Sequence, residues 1–245
     1  MMKHEFYYTS RDSVTKIHAI EWIPDGEVKG ILQICHGMVE YIDRYDDFAK
    51  FMCGHGYYVV GHDHLGHGKS IQTEADLGYF DERKGNQYVI GDIYRLQEMT
   101  KKKYPDAPYF MLGHSMGSFL LRQYLTMYAG GLSGAVIMGT GYQGALTLSA
   151  GRIVCRIIAA FKGWKYRSTF VDNLSFGGFN KKFEPGETSK EWITSDRKKR
   201  DEYVEDPLCS YTFTLGAYYQ MFTGMKVLVQ KESMERIPKT LPVLF

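Results

Sequence analysis

The pentad Gly113-His114-Ser115-Met116-Gly117 constrains this chain more than any other feature. It is the Gly-x-Ser-x-Gly pattern of a serine nucleophile set on a sharp strand-to-helix turn. Small residues are needed on both sides because the turn brings strand and helix backbone into close contact. The pentad follows the apolar run Tyr109-Phe110-Met111-Leu112 and precedes a segment with helical spacing, so its context fits the pattern. Ser115 is therefore the candidate nucleophile, with Gly113, His114 and Gly117 forming the elbow.

The surrounding pattern predicts an α/β fold. Residues 5–9 and 16–22 alternate around a turn and read as a hairpin. Short apolar runs at 29–35, 57–61, 108–112 and 132–138 read as buried strands. Between them, residues 46–54, 87–104 and 115–128 have helical spacing, the first with Phe48, Phe51 and Met52 as its apolar positions. Buried strands alternating with helices imply a mostly parallel sheet covered on both faces. After Gly141 the pattern turns helical or irregular until Leu241-Pro242-Val243-Leu244-Phe245. The expected division is a core over residues 1–141, a helical cap or lid over 142–236, and the start of another core strand at 237–245.

Cys35-His36-Gly37-Met38 ends an earlier strand, where such a fold places a second oxyanion donor. The backbone N–H groups of Met38 and Met116 are the expected pair, with His36 and Gly37 supporting the loop. His62-Asp63-His64-Leu65-Gly66-His67-Gly68-Lys69-Ser70 invites a metal reading, but its spacing does not match a helix-borne ligand pair. It is expected to be a glycine-punctuated structural loop, with no metal. In the cap, residues 152–164 place Ile153, Val154, Ile157, Ile158, Phe161 and Trp164 on one helical face, with Arg152 and Arg156 opposite. That face suits either packing on the core or contact with a lipid surface. Arg197-Lys198-Lys199-Arg200 is expected to be solvated.

Composition excludes some classes. A formal net charge of +2 over 245 residues argues against a nucleic-acid footprint. The four cysteines, Cys35, Cys53, Cys155 and Cys209, have neither Cys-x-x-Cys nor zinc-ligand spacing. They are expected to be reduced thiols, and with no leader-like N-terminus the expected location is cytoplasmic.

Four segments together resemble the monoacylglycerol lipase/lysophospholipase branch of the α/β-hydrolases, also described as serine aminopeptidase-like. They are His36-Gly37-Met38-Val39-Glu40 with Arg44-Tyr45, then Asp63 to Ser70, then Leu112 to Ser118, and Asp206-Pro207-Leu208 in the cap. The resemblance implies Ser115 as nucleophile, the Met38 and Met116 amides as oxyanion hole, and a cap that shapes an acyl-chain tunnel. It implies a single-chain ester substrate and no metal or organic cofactor. The family's catalytic acid and histidine lie after the strand that begins at Leu241, and no histidine follows His114. The expectation is a C-terminally truncated hydrolase lacking its last core strands, with no residue assigned to those two roles. His36, His64, His67 and His114 are each expected to be structural. The remaining alternatives are an aminopeptidase-type hydrolase and a non-catalytic fragment.

Overall fold

The computed structural model describes residues 1–183 and 185–245. Seven strands form one sheet in the order β1-β2-β4-β3-β5-β6-β7. β1 (Met2–Thr9) and β2 (Lys16–Ile23) make the antiparallel hairpin, and β2 joins β4 (Tyr57–His62) antiparallel. From there the sheet is parallel: β4 with β3 (Gly30–Cys35), then β5 (Tyr109–His114), β6 (Gly134–Met138) and β7 (Val243–Leu244). The mostly parallel α/β architecture agrees with the sequence pattern.

Helices cover both faces. α1 (Asp46–Gly54) packs on one face, in a cluster with Trp22, Ile34, Ile42 and Val59. Its buried residues are Ala49 and Cys53, whereas Phe48 and Phe51 are exposed. The expected phenylalanine face is thus rotated outward, because small side chains let the helix lie close to the sheet. α2 (Gly85–Lys103) and α3 (Met116–Tyr128) cover the other face, burying Val89, Ile93, Leu121 and Tyr124. Gln33, buried in β3, donates to the Ile93 carbonyl and accepts from the Tyr109 hydroxyl, which ties helix to sheet.

Between β6 and β7 the chain is helical: α4 (Ala145–Lys162), α5 (Thr169–Phe176), α6 (Arg197–Glu205), α7 (Leu215–Leu228) and the short α8 (Lys231–Met234). α4 packs along α7, and α7 rests on α2 and α3. Two expectations for this region are corrected. Arg200 is not solvated: it is buried and grips Glu187, Glu191 and Asp201. A guanidinium with five donors is well matched to several carboxylates at once.

The second correction concerns α4, which is apolar on two sides. Leu148, Cys155 and Ala159 face inward, while Ile153, Ile157 and Phe161 face outward together with exposed Arg156. Arg152 does not face solvent opposite them. It lies 4.8 Å from the Tyr219 ring and donates to its hydroxyl.

The loop from His62 to Ser70 is built around Asp63, which is fully buried. Its carboxylate accepts from the Ile42 and Lys69 backbone N–H groups and from His18 Nδ1, each at 2.8 Å. Gly68 sits at φ 49°, and a Cβ there would lie 2.2 Å from Asp63 Oδ2. Removing one partner from such a buried ionic network leaves the others unsatisfied, at a cost of about 3–5 kcal/mol. Asp63→Ala is expected to lower unfolding free energy by that amount in a urea melt. An unchanged midpoint would contradict the role given to this carboxylate.

Candidate active site

β5 ends at His114 and α3 begins at Met116, so Ser115 is the entire turn. Its backbone has φ 52° and ψ −117°, outside the regions that L-residues prefer. Strain of this kind persists only where the surroundings over-determine it. Here three features do so. The Ser115 N–H donates to the Met138 carbonyl at 3.0 Å, and the Ser115 carbonyl accepts from the Ser118 N–H and hydroxyl. A Cβ at Gly113 would lie 2.5 Å from the Gly117 carbonyl oxygen. A Cβ at Gly117 would lie 2.0 Å from the Cys35 carbonyl oxygen. The turn puts Ser115 at the N-terminus of a 13-residue helix, where the dipole favours negative charge.

The loop after β3 folds against this turn. His36 is buried; its Nε2 accepts from the His64 N–H at 2.9 Å, so Nδ1 carries the proton donated to the Gly37 carbonyl at 2.7 Å. Gly37 passes so close to the elbow that a Cβ would sit 3.2 Å from Ser115 Cβ. Glu40 then collects three donors on one oxygen: the Gly37 N–H, the Tyr45 hydroxyl at 2.9 Å and His114 Nδ1 at 3.1 Å. One carboxylate thus joins the loop to the elbow. Met38, Ser115 and Met116 border the same cavity. Among the described residues, neither the Met38 nor the Met116 amide has an acceptor.

The histidines point elsewhere. His114, next to Ser115 in sequence, faces Glu40 and Tyr45. His36, His62, His64 and His67 are buried and pack against one another, with ring centroids 4.1 Å apart for His36 and His64. Among the described residues, no histidine is hydrogen-bonded to the Ser115 hydroxyl.

Burial sets the charge of this cluster. Desolvation, reinforced by His36 and His18, lowers His62 to about 3, and desolvation lowers His67 to about 4. His36 and His64 are lowered well below the usual value, first by burial and then by neighbouring histidines: His64 and His67 act on His36, and His62 and His67 act on His64. His18 differs: burial alone would lower it, but Asp63 and Glu5 raise it. The sign follows from proton counting. Below about pH 6.5 the unfolded chain protonates the four buried histidines while the folded chain does not, so stability falls with pH. His18, and Asp92, which burial raises to about 7, contribute in the opposite sense, losing stability as pH rises through their raised values, but they are two groups against four. A thermal melt is expected to drop between pH 7 and pH 5, above the carboxylate range; a flat profile would contradict neutral burial.

The cavity bordered by Ser115 has a volume of about 550 Å³, within the usual range for small-molecule sites. Its floor is Met38, Met116 and Phe119. Its roof comes from residues 140–179 and from Met221, Phe222 and Met225 of α7. None of the described residues lining it is charged. A separate cavity of about 440 Å³, lined by Thr15, Ser70 and Gln72 among others, lies beside the Asp63 loop and does not include Ser115.

Sequence reasoning missed Glu40 as the tie between loop and elbow, although Glu40, Arg44 and Tyr45 fall within the segment that carries the resemblance. The spacing of Gly37, Glu40 and Arg44 was the available signal, since it brings the carboxylate back over the preceding turn.

Residues 26–244 match a protein-family model described as serine aminopeptidase, S33. The monoglyceride lipase of Rattus norvegicus is 26% identical over 229 residues, which is 91% of this chain and 65% of that protein. The monoglyceride lipase of Homo sapiens is 26% identical over 223 residues, 91% of this chain and 64% of that protein. The chain thus spans just under two thirds of the length of these relatives. Among solved structures, a thermostable carboxyl esterase from Bacillus coagulans is 26% identical, with a TM-score of 0.89 over 99% of this chain and 78% of that one. A soluble variant of monoglyceride lipase from Saccharomyces cerevisiae, 19% identical, shares the fold with a TM-score of 0.74 over 99% of this chain and 76% of that one.

Proposed function

Because the chain belongs to the serine aminopeptidase S33 family of α/β-hydrolases, we propose that it carries the nucleophile and acyl site of a serine ester hydrolase. The substrate class is a single-chain acyl ester of the monoacylglycerol or lysophospholipid type. The observation that carries this reading is Ser115 at φ 52°, opening onto a cavity whose described lining residues are uncharged.

In the proposed reaction the Ser115 oxygen attacks the ester carbonyl carbon. The hydroxyl proton passes to a base, the carbon–oxygen bond to the alcohol breaks, and the base returns the proton to the departing alkoxide. Water then cleaves the acyl-enzyme by the same route, releasing the fatty acid. The Met38 and Met116 amides, both without acceptors among the described residues, receive the negative carbonyl oxygen. Losing one such donor costs roughly 3–4 kcal/mol of transition-state stabilisation. The base and the acid that orients it are assigned to no residue of this chain.

An ester is favoured over an aminoacyl amide on one ground. An aminopeptidase must hold a substrate ammonium, which calls for a carboxylate in the pocket. Among the described residues, the lining of this cavity has none.

The test is ester hydrolysis by the 245-residue protein beside Ser115→Ala, with a short chromogenic ester and a monoacylglycerol. Without a base, turnover is expected about a millionfold below that of a complete triad, with both proteins near silence. Robust turnover abolished by Ser115→Ala would place a base within these residues. Slow labelling by a long-chain fluorophosphonate, absent in Ser115→Ala, checks the nucleophile independently of turnover.

We further propose that the outer face of α4 touches a lipid surface during substrate capture. Leu146 and Phe161 are 88% and 85% exposed, Ile153 and Ile157 lie between them, and Arg156 and Lys162 supply positive charge. Phe161→Asp is expected to reduce co-sedimentation with anionic phospholipid vesicles several-fold without lowering the melting temperature. Equal sedimentation of both proteins would refute the contact. No helix of the described residues is long and apolar enough to cross a membrane.

A further inference from the structure

Val39 has φ 55°, and among the described residues it is the only β-branched residue held at positive φ. Such a residue is a genuine outlier, so something outside the loop must hold it there. The holder comes from the cap. Tyr203 of α6 is 8% exposed, and its hydroxyl donates to the Val39 carbonyl at 3.0 Å. Two further contacts join the same short stretches of chain. The Tyr41 hydroxyl donates to Asp206 Oδ2 at 2.8 Å. The Arg44 guanidinium lies 4.9 Å from the Tyr203 ring. Three contacts therefore link residues 39–44 to residues 203–206, across more than 150 residues of sequence.

We propose that Tyr203 is a positioning residue: it latches the cap to the loop after β3 and fixes the direction of the Met38 amide. The proposal rests on the reading of that amide as an oxyanion donor. Its physical basis is the single bond that φ describes. If Val39 relaxes to negative φ, the peptide planes on either side of it rotate, and Met38 moves away from Ser115. Docking of α6 thus controls whether the oxyanion hole is assembled. A cap segment remote in sequence regulates the site without touching the substrate.

Tyr203→Phe removes the hydroxyl and keeps the ring beneath Arg44. In the intact 245-residue chain, hydrogen–deuterium exchange over residues 37–42, where the Gly37 and Ile42 N–H groups donate to Glu40 and Asp63, is expected to rise about tenfold, with α4 and α7 unchanged. Glycine adopts positive φ without strain, so in a Val39→Gly background the same substitution should have a smaller effect. A merely structural hydrogen bond would not produce that rescue. Unchanged exchange at 37–42, a rise spread evenly over the cap, or an equal rise in the Val39→Gly background would each overturn the latch. Binding of a short alkylboronic acid, lost in Ser115→Ala, tests the nucleophile separately. If the parent protein binds none, the reading of Ser115 fails, while the exchange result still decides the latch.

Discussion

The closest constraint in this molecule is the approach of α3 to the end of β3. Gly117 has room for a hydrogen and nothing larger, since a Cβ would meet the Cys35 carbonyl oxygen at 2.0 Å. That approach lets the helix begin directly over the neighbouring strand. It turns Ser115 upward, sets Gly37 against its Cβ, and brings the Met38 loop to the mouth of the cavity. Every other part of the site is arranged around a backbone contact that two glycines make possible.

Carboxylates then hold the loops that the sheet leaves free. Asp63 secures the 62–70 loop and the start of the turn at Ile42; Glu40 secures the 36–40 loop and the elbow histidine. Each accepts several N–H or O–H groups, some from its own loop and at least one from a residue distant in sequence. Charge-assisted hydrogen bonds of this kind fix geometry more strictly than apolar packing does, because each oxygen has few permitted directions. The arrangement is thus a rigid frame of strands joined by ionic clips.

Local features of this fold were legible in the sequence, and relations between distant residues were not. The elbow, the hairpin and the strand–helix alternation rest on short-range patterns: Gly113 and Gly117 flanking a serine, period-two runs, and apolar runs of strand length. They appear in the structure with boundaries within a few residues. The outward turn of Phe48 and Phe51, the burial of Arg200 and the two-sided character of α4 were hidden. Each depends on what packs opposite the helix, and period alone does not identify the neighbour. Tyr203 was invisible for the same reason, because its partner Val39 is 164 residues away. The histidines were read as structural, and His36, His64, His67 and His114 each make hydrogen bonds that serve a loop.

The cavity beside Ser115 is a seam between two distant stretches of chain. Its floor belongs to the loop after β3 and the start of α3, and its roof to segments that follow residue 139. The space exists only while those stretches are docked. A molecule that fills it therefore touches both, and its binding free energy adds to the cohesion between cap and core by mass action. Occupancy and compactness become a single equilibrium, in which the guest acts as mortar for the walls that enclose it.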